Sequence, residues 1–253
     1  FESWPLFGEY LSKTKIYYSP EKFSTSANLS ESDEERLMRT GTKTETYDLG
    51  LNRSFILNYK VTDYAKSNYK KTVNSDLDFY MEKNNLTKKD LFKNLSAGLV
   101  QSVTEDLSNT FSPEILPWLD PSVKYNPYYT WNISNQTDSI PSATIENKTY
   151  VETSFNFGPK EFVGVFYKPE SAQNKKTTTR RRGRNKKQIK EQEPLLKIEN
   201  ESVKKIFDEV YNYASKISKV TIKYSYNARH RHSNIRADQF IDYNYRLGLT
   251  WSP

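Results

Sequence analysis

The stretch YDLGLNRSFILNYKV, Tyr47 to Val61, decides the fold. Tyr47, Leu49, Leu51, Phe55, Leu57, Tyr59 and Val61 occupy every second position. Asp48, Gly50, Asn52, Ser54, Asn58 and Lys60 fall between them. Period two is the pattern of a β-strand with one apolar and one polar face. Two residues break it: Arg53 stands in the apolar phase and Ile56 in the polar one. A bulge near Arg53, or burial of that face against other protein, would accommodate the cation.

The same pattern recurs along the chain. Val123, Tyr125, Tyr129, Trp131 and Ile133 alternate with polar residues, as do Val220, Ile222, Tyr224, Tyr226 and Ala228. The last run is Ile241, Tyr243, Tyr245, Leu247, Leu249 and Trp251 against Asp242, Asn244, Arg246, Gly248 and Thr250. Weaker versions cover Phe23 to Leu29, Tyr69 to Phe79, Leu95 to Val103 and Ile145 to Phe157. The expectation is about eight long antiparallel strands. Pro20 interrupts the first and marks a bulge or its effective start. Several runs match the roughly 9 to 11 residues a tilted strand needs to cross an outer membrane. Globular strands are nearer 5 to 6.

Composition agrees. The 253 residues include 19 Tyr, 13 Phe and 4 Trp, yet only 35% are hydrophobic, and the mean hydropathy is −0.86. This is too polar for a helical membrane protein and too aromatic for a disordered chain. Transmembrane barrels combine both traits, because alternate residues meet lipid and aromatic girdles line the interfaces. A soluble antiparallel sandwich shares the alternation. With no cysteine, disulfides and thiol chemistry are excluded. The chain is expected to be a segment cut from a longer polypeptide.

The net charge of +7 is local. Lys175, Lys176, Arg180, Arg181, Arg182, Arg184, Lys186, Lys187 and Lys190 contain no acid among them, and without them 29 basic residues face 31 acidic ones. No aromatic residue is interleaved for base stacking, so no nucleic-acid partner is expected. The tract lies in an insertion, 158–219, that then ends in an amphipathic helix with Val203, Ile206, Phe207, Val210, Tyr211, Ala214 and Ile217 on one face. Thr87 and Asp90 predict a capping box at a shorter helix. The domain expectation is barrel wall over 1–157, a basic, helix-containing and periplasmic insertion over 158–219, and barrel wall again over 220–253. Thr62 to Asn68 is a short turn on the periplasmic side; Glu31 to Thr46 and Met81 to Asn94 are charged outer loops.

No phosphate loop, nucleophile elbow or helical zinc motif occurs. Glu31, Asp33, Glu34 and Glu35 lack the spacing of a calcium loop. His230 and His232 share a strand face without a third ligand, so no metal, cofactor or catalytic residue is assigned. Arg229, Arg231 and Arg236 beside them are candidates for contact with outer-membrane lipid or lipopolysaccharide.

Three phrases carry a family resemblance: KIYYSPEKFSTSA at 15–27, LNRSFILNYKVTD at 51–63 and YNPYYTW at 125–131. Over about Lys13 to Phe157 the chain resembles the SprA/Sov family, the outer-membrane translocon of the type IX secretion system. The resemblance implies one sector of a very large barrel that passively conducts folded proteins outward and has no catalytic residues. Its partners would be the remainder of the same barrel, secreted cargo proteins, and plug or shuttle subunits. Tyr47, Leu49, Leu51, Leu57, Tyr59, Tyr243, Tyr245, Leu247, Leu249 and Trp251 would face lipid. Asn52, Asn58, Lys60, Asn244 and Arg246 would face a hydrated lumen. Alternatives are another outer-membrane barrel, of TonB-dependent receptor or lipopolysaccharide-export type, and a soluble β-rich adhesin or binding module.

Overall fold

The computed structural model describes residues 14–39, 41, 43–93, 97–113, 116, 118–135, 141–169, 200–239 and 241–253. Seven strands form one antiparallel sheet in which each strand pairs with its neighbours in sequence. They are β1 (Lys22–Leu37), β2 (Lys43–Lys60), β3 (Ala65–Asp76), β4 (Leu99–Phe111), β5 (Leu119–Asn135), β6 (Ser142–Phe157) and β7 (Val220–Arg236). The fold is all-β, as the alternation predicts. The sheet does not close on itself: β1 and β7 are its two edges.

Each strand follows from its period-two pattern, and the structure lengthens several. The acids at 31–35, expected in a loop, continue β1 as far as Leu37. β4 runs on to Phe111, well past the expected run that ends at Val103. Pro20 stands just ahead of β1, whose first residue is Lys22; Ile16 bridges Thr62 before it. The turn after β2 is tighter than its sequence boundaries, because β3 begins at Ala65. Thr62 closes it, its hydroxyl accepting from the amides of Tyr64 and Ala65 at 3.2 and 3.0 Å.

No bulge lies at Arg53. The β1–β2 and β2–β3 registers are continuous there, pairing Arg53 with Ala27 and Val73. The irregularity falls between Asn74 and Ser75 against β4. Arg53 is instead half-buried, and its guanidinium donates to Ser75 Oγ at 2.7 Å. The bulge offered for Arg53 is therefore absent, and the Ser75 hydroxyl takes up the cation.

The main correction concerns the final alternating run. Ile241 to Trp251 is not an eighth strand. It contains a short helix, α5 (Tyr243–Arg246), and a reversal at Gly248. The amides of Gly248 and Leu249 bond back to the carbonyls of Tyr245 and Asn244, a Schellman closure. Gly248 sits at φ +74°, where a side chain is strained. Among the described residues, four other helices precede it. The run from Tyr69 turns helical after Asp76 as α1 (Asp78–Asn84), followed by α2 (Lys88–Lys93). α3 (Pro159–Phe166) lies inside the insertion and was not predicted; α4 (Glu201–Lys216) is the expected amphipathic helix. Asn200 caps α4, its Oδ1 accepting from the amide of Ser202 at 3.0 Å.

The chain forms two compact units. One unites Ser112–Ser122 with Thr153–Tyr224; the other comprises Lys13–Phe111, Val123–Glu152 and Ser225–Pro253. In the first, the rings of Trp118, Phe157, Phe162 and Phe166 stack edge to face or tilted at 5.0 to 5.9 Å. α4 finds its partner there. Phe207 meets Tyr167 at 5.6 Å, and the Tyr167 hydroxyl donates to Asp208 at 2.7 Å. Only part of its apolar face is covered: Ala214 is buried, whereas Val203, Ile206, Val210 and Ile217 stay exposed. The basic tract at 175–190 lies outside the described residues.

Candidate functional site

The candidate site is the pair of sheet faces in the larger unit. Register assigns each residue to a face: Ala27, Arg53, Val73, Val103 and Trp131 form one cross-strand row. Tyr47, Leu49, Leu51, Leu57 and Tyr59 share that face. Asn52, Asn58 and Lys60 lie on the other.

The second face is a set of short polar ladders. Asn52 donates to Asn74 at 2.5 Å, and Asn74 donates to Ser102 at 2.9 Å, linking three strands. Ser26 meets Ser54 at 2.7 Å, Ser108 donates to Asn126 at 3.1 Å, and Ser134 meets Thr144 at 3.0 Å. Such side chains satisfy one another laterally while staying hydrated. Farther along, Glu146 binds Lys148 at 2.9 Å and Arg229 at 2.7 Å, and Lys124 binds Glu152 at 2.9 Å. Among the three candidate arginines, Arg229 is therefore engaged by Glu146. Arg236 pairs with Asp238 at 2.8 Å and holds that carboxyl below its ordinary range. Lys60 turns to the sheet end, donating to Asp63 at 2.9 Å and to the Tyr17 hydroxyl at 3.2 Å.

The first face is covered by the chain itself in two places. At one end α1 and α2 fold over β2. Leu49, only 2% exposed, packs with Leu77, Met81 and Leu91, and Tyr47, Leu51, Tyr80 and Leu86 surround them. Asn85 ends α1 at φ 50°, a left-handed residue that lets the amide of Leu86 reach the Met81 carbonyl at 2.9 Å. The capping box appears as expected. Asp90 accepts from the amide and hydroxyl of Thr87 at 3.0 and 2.6 Å, which lowers its pKa.

At the other end the C-terminal segment lies across β4 to β7. Tyr245 is fully buried, with Tyr129, Ile145 and Ile241 around it. Asn147, 1% exposed, donates to the carbonyls of Tyr245 and Arg246 at 2.9 and 3.0 Å. Arg246 forms a two-pronged ion pair with the buried carboxylate of Glu105 and lies 4.6 Å from the Tyr243 ring centre. Lys71 also reaches Glu105, at 3.1 Å. The Tyr125 hydroxyl donates to the Leu247 carbonyl. His230 stacks on Trp251, ring centres 5.7 Å apart, and the ring of His232 meets Tyr245 edge-on. The two histidines serve as packing surfaces for the segment. Among the described residues no group of three or more His, Cys, Asp or Glu could hold a metal ion.

The sheet thus brings together the predicted face residues of β2 and separates them correctly by phase. It does not do so for the closing run. Tyr243, Tyr245, Leu247, Leu249 and Trp251 form no strand face, and Asn244 and Arg246 do not line up with Asn52 and Asn58. The reason is local and tertiary together: Gly248 reverses the backbone, while Glu105 and Asn147 supply partners for Arg246 and for two carbonyls of the C-terminal segment. Sequence reasoning missed Glu105 and Asn147. The signal was available, because both stand in the apolar phase of their strands, between Val103 and Leu107 and after Ile145.

Protein-family models, curated proteins and solved structures were all compared with this chain, and none matches it.

Proposed function

We propose that this chain is a wall segment of a larger outer-membrane β-barrel, of the kind that passively conducts proteins outward as the type IX translocon does. One observation carries the reading: seven consecutive antiparallel strands of 12 to 18 residues, paired only with sequence neighbours and ending in open edges at β1 and β7. An up-and-down meander of this length is how a membrane barrel is built, and inside a bilayer further strands would satisfy its edges. The polar ladders of Asn52, Asn74 and Ser102 suit a hydrated lumen, offering cargo hydrogen bonds but no adhesive apolar patch. Phe23, Phe55 and Tyr69, whose rings meet edge to face at 5.3 and 6.0 Å, suit a lipid-facing belt. The translocon assignment within the barrel class rests on the sequence resemblance.

A second reading, a soluble β-rich binding module, is favoured by one observation. The face assigned to lipid carries the buried Glu105–Arg246 pair and Asn147 beneath the C-terminal segment. Single cysteines separate the two readings, since the chain has none of its own. In membranes, a water-soluble maleimide should label Asn58→Cys and spare Leu57→Cys. Equal labelling, or a chain that stays monomeric in water without detergent, would overturn the barrel proposal.

A further inference from the structure

The segment Ile241 to Trp251 carries two structural instructions. Its period-two pattern writes a strand, with four polar residues and Gly248 interleaved among Ile241, Tyr243, Tyr245, Leu247, Leu249 and Trp251. The fold instead bends it across the sheet, directly after β7, whose outer edge has no strand partner among the described residues. We propose that this segment is an exchangeable strap, docked on the sheet in one state and added to the β7 edge as an eighth antiparallel strand in another.

Register supports the second state. A hairpin with a loop of about four residues, a common length, would place Ile241 opposite Arg236, Tyr245 opposite His232 and Leu249 opposite Ala228. Paired residues share a face, so the apolar side of the strap would extend the face that holds Tyr226, Ala228 and Leu49. The polar residues Asp242, Asn244 and Arg246 would extend the opposite one. A loop one residue longer or shorter reverses this, so the match is specific.

The docked state is built to be left. When Arg246 departs, Glu105 keeps Lys71 at 3.1 Å, so its charge is not abandoned. A shallow, open groove of about 310 Å³ runs beside the contact, lined in part by Lys71, Val100, Val103, Trp131 and Gln239. The inference stands whether or not the sheet lies in a membrane.

Hydrogen exchange and cysteine cross-linking on the whole chain test it. Arg246→Gln removes the ion pair from the strap side and leaves every strand residue intact. Every second amide of β7 should then exchange at least tenfold more slowly. In that background Ala228→Cys with Leu249→Cys should form a disulfide at least tenfold faster than with Arg246 present, and Ala228→Cys with Thr250→Cys should not. A strap that loosens while β7 amides keep their rates would overturn the proposal, as would equal cross-linking of both pairs. Should Arg246→Gln prove unstable, Asn147→Ser, which shortens the other anchor, must give the same β7 protection.

Discussion

One face of the sheet is covered at two ends by different physics. The α1–α2 hairpin holds β2 through Leu49, Leu77, Met81 and Leu91, an apolar cluster with no charge in it. The strap holds β4 to β7 through an ion pair, two bonds from Asn147 and the rings of Tyr245 and Trp251. Burial of apolar area is non-directional and tolerates sliding. A buried ion pair has one geometry and is costly when half of it is removed. The hairpin is thus a local folding unit built from sequence neighbours, whereas the strap is a long-range clasp that joins residues 141 positions apart.

The largest blow to this contrast falls on the hairpin. Leu49→Ala empties a site that is 2% exposed. It should destabilise by about 2–5 kcal/mol, the usual range for a buried leucine, read by denaturant unfolding. Arg246→Ala should cost less than the about 3–5 kcal/mol of breaking a buried pair, because Lys71 stays with Glu105. Arg246→Ala with Lys71→Ala should exceed the sum of the single changes, and strict additivity would mean that Lys71 gives no support. Gly248→Ala places a Cβ against the Thr149 hydroxyl at a positive φ. It should cost at least about 1–2 kcal/mol from the left-handed backbone alone, and the loss should appear as faster exchange in the strap with the hairpin unchanged.

The smallest effect concerns the hairpin's capping box. Thr87 lowers the pKa of Asp90. A carboxyl depressed on folding contributes stability above its unfolded pKa, about 3.9, and loses it as pH falls through the lower folded value. Acid should therefore fray α2 locally, visible in the Thr87 amide by NMR. Thr87→Ala should move the Asp90 titration back toward its ordinary value, and an unmoved titration would remove the box.

The two regions also differ in how far they could be foreseen. The seven strands and the two faces of β2 follow from period two, and Thr87 with Asp90 announced α2. α1 was hidden because Leu77 and Phe79 continue the strand phase of β3. The helix forms where β3 ends, with the Asp76 side chain accepting from the Phe79 amide at 2.8 Å. α3 gave no period long enough to notice over eight residues. For α4, spacing predicted the apolar face, while its coverage by Tyr167 depends on a residue 40 positions away.

What the sequence alone determined is the division of labour along each strand: Tyr47, Leu49, Leu51, Leu57 and Tyr59 to one side, Asn52 and Asn58 to the other. Side-chain alternation is a local property of extended backbone, so it survives any arrangement of the rest. What only the tertiary structure decided is where the last alternating segment goes. Ile241 to Trp251 carries a strand's pattern, but β7 lies on one side of it and a face bearing Glu105, Tyr129 and Asn147 on the other. In this fold the buried ion pair, the buried ring of Tyr245 and the reversal at Gly248 outweigh pairing along the β7 edge.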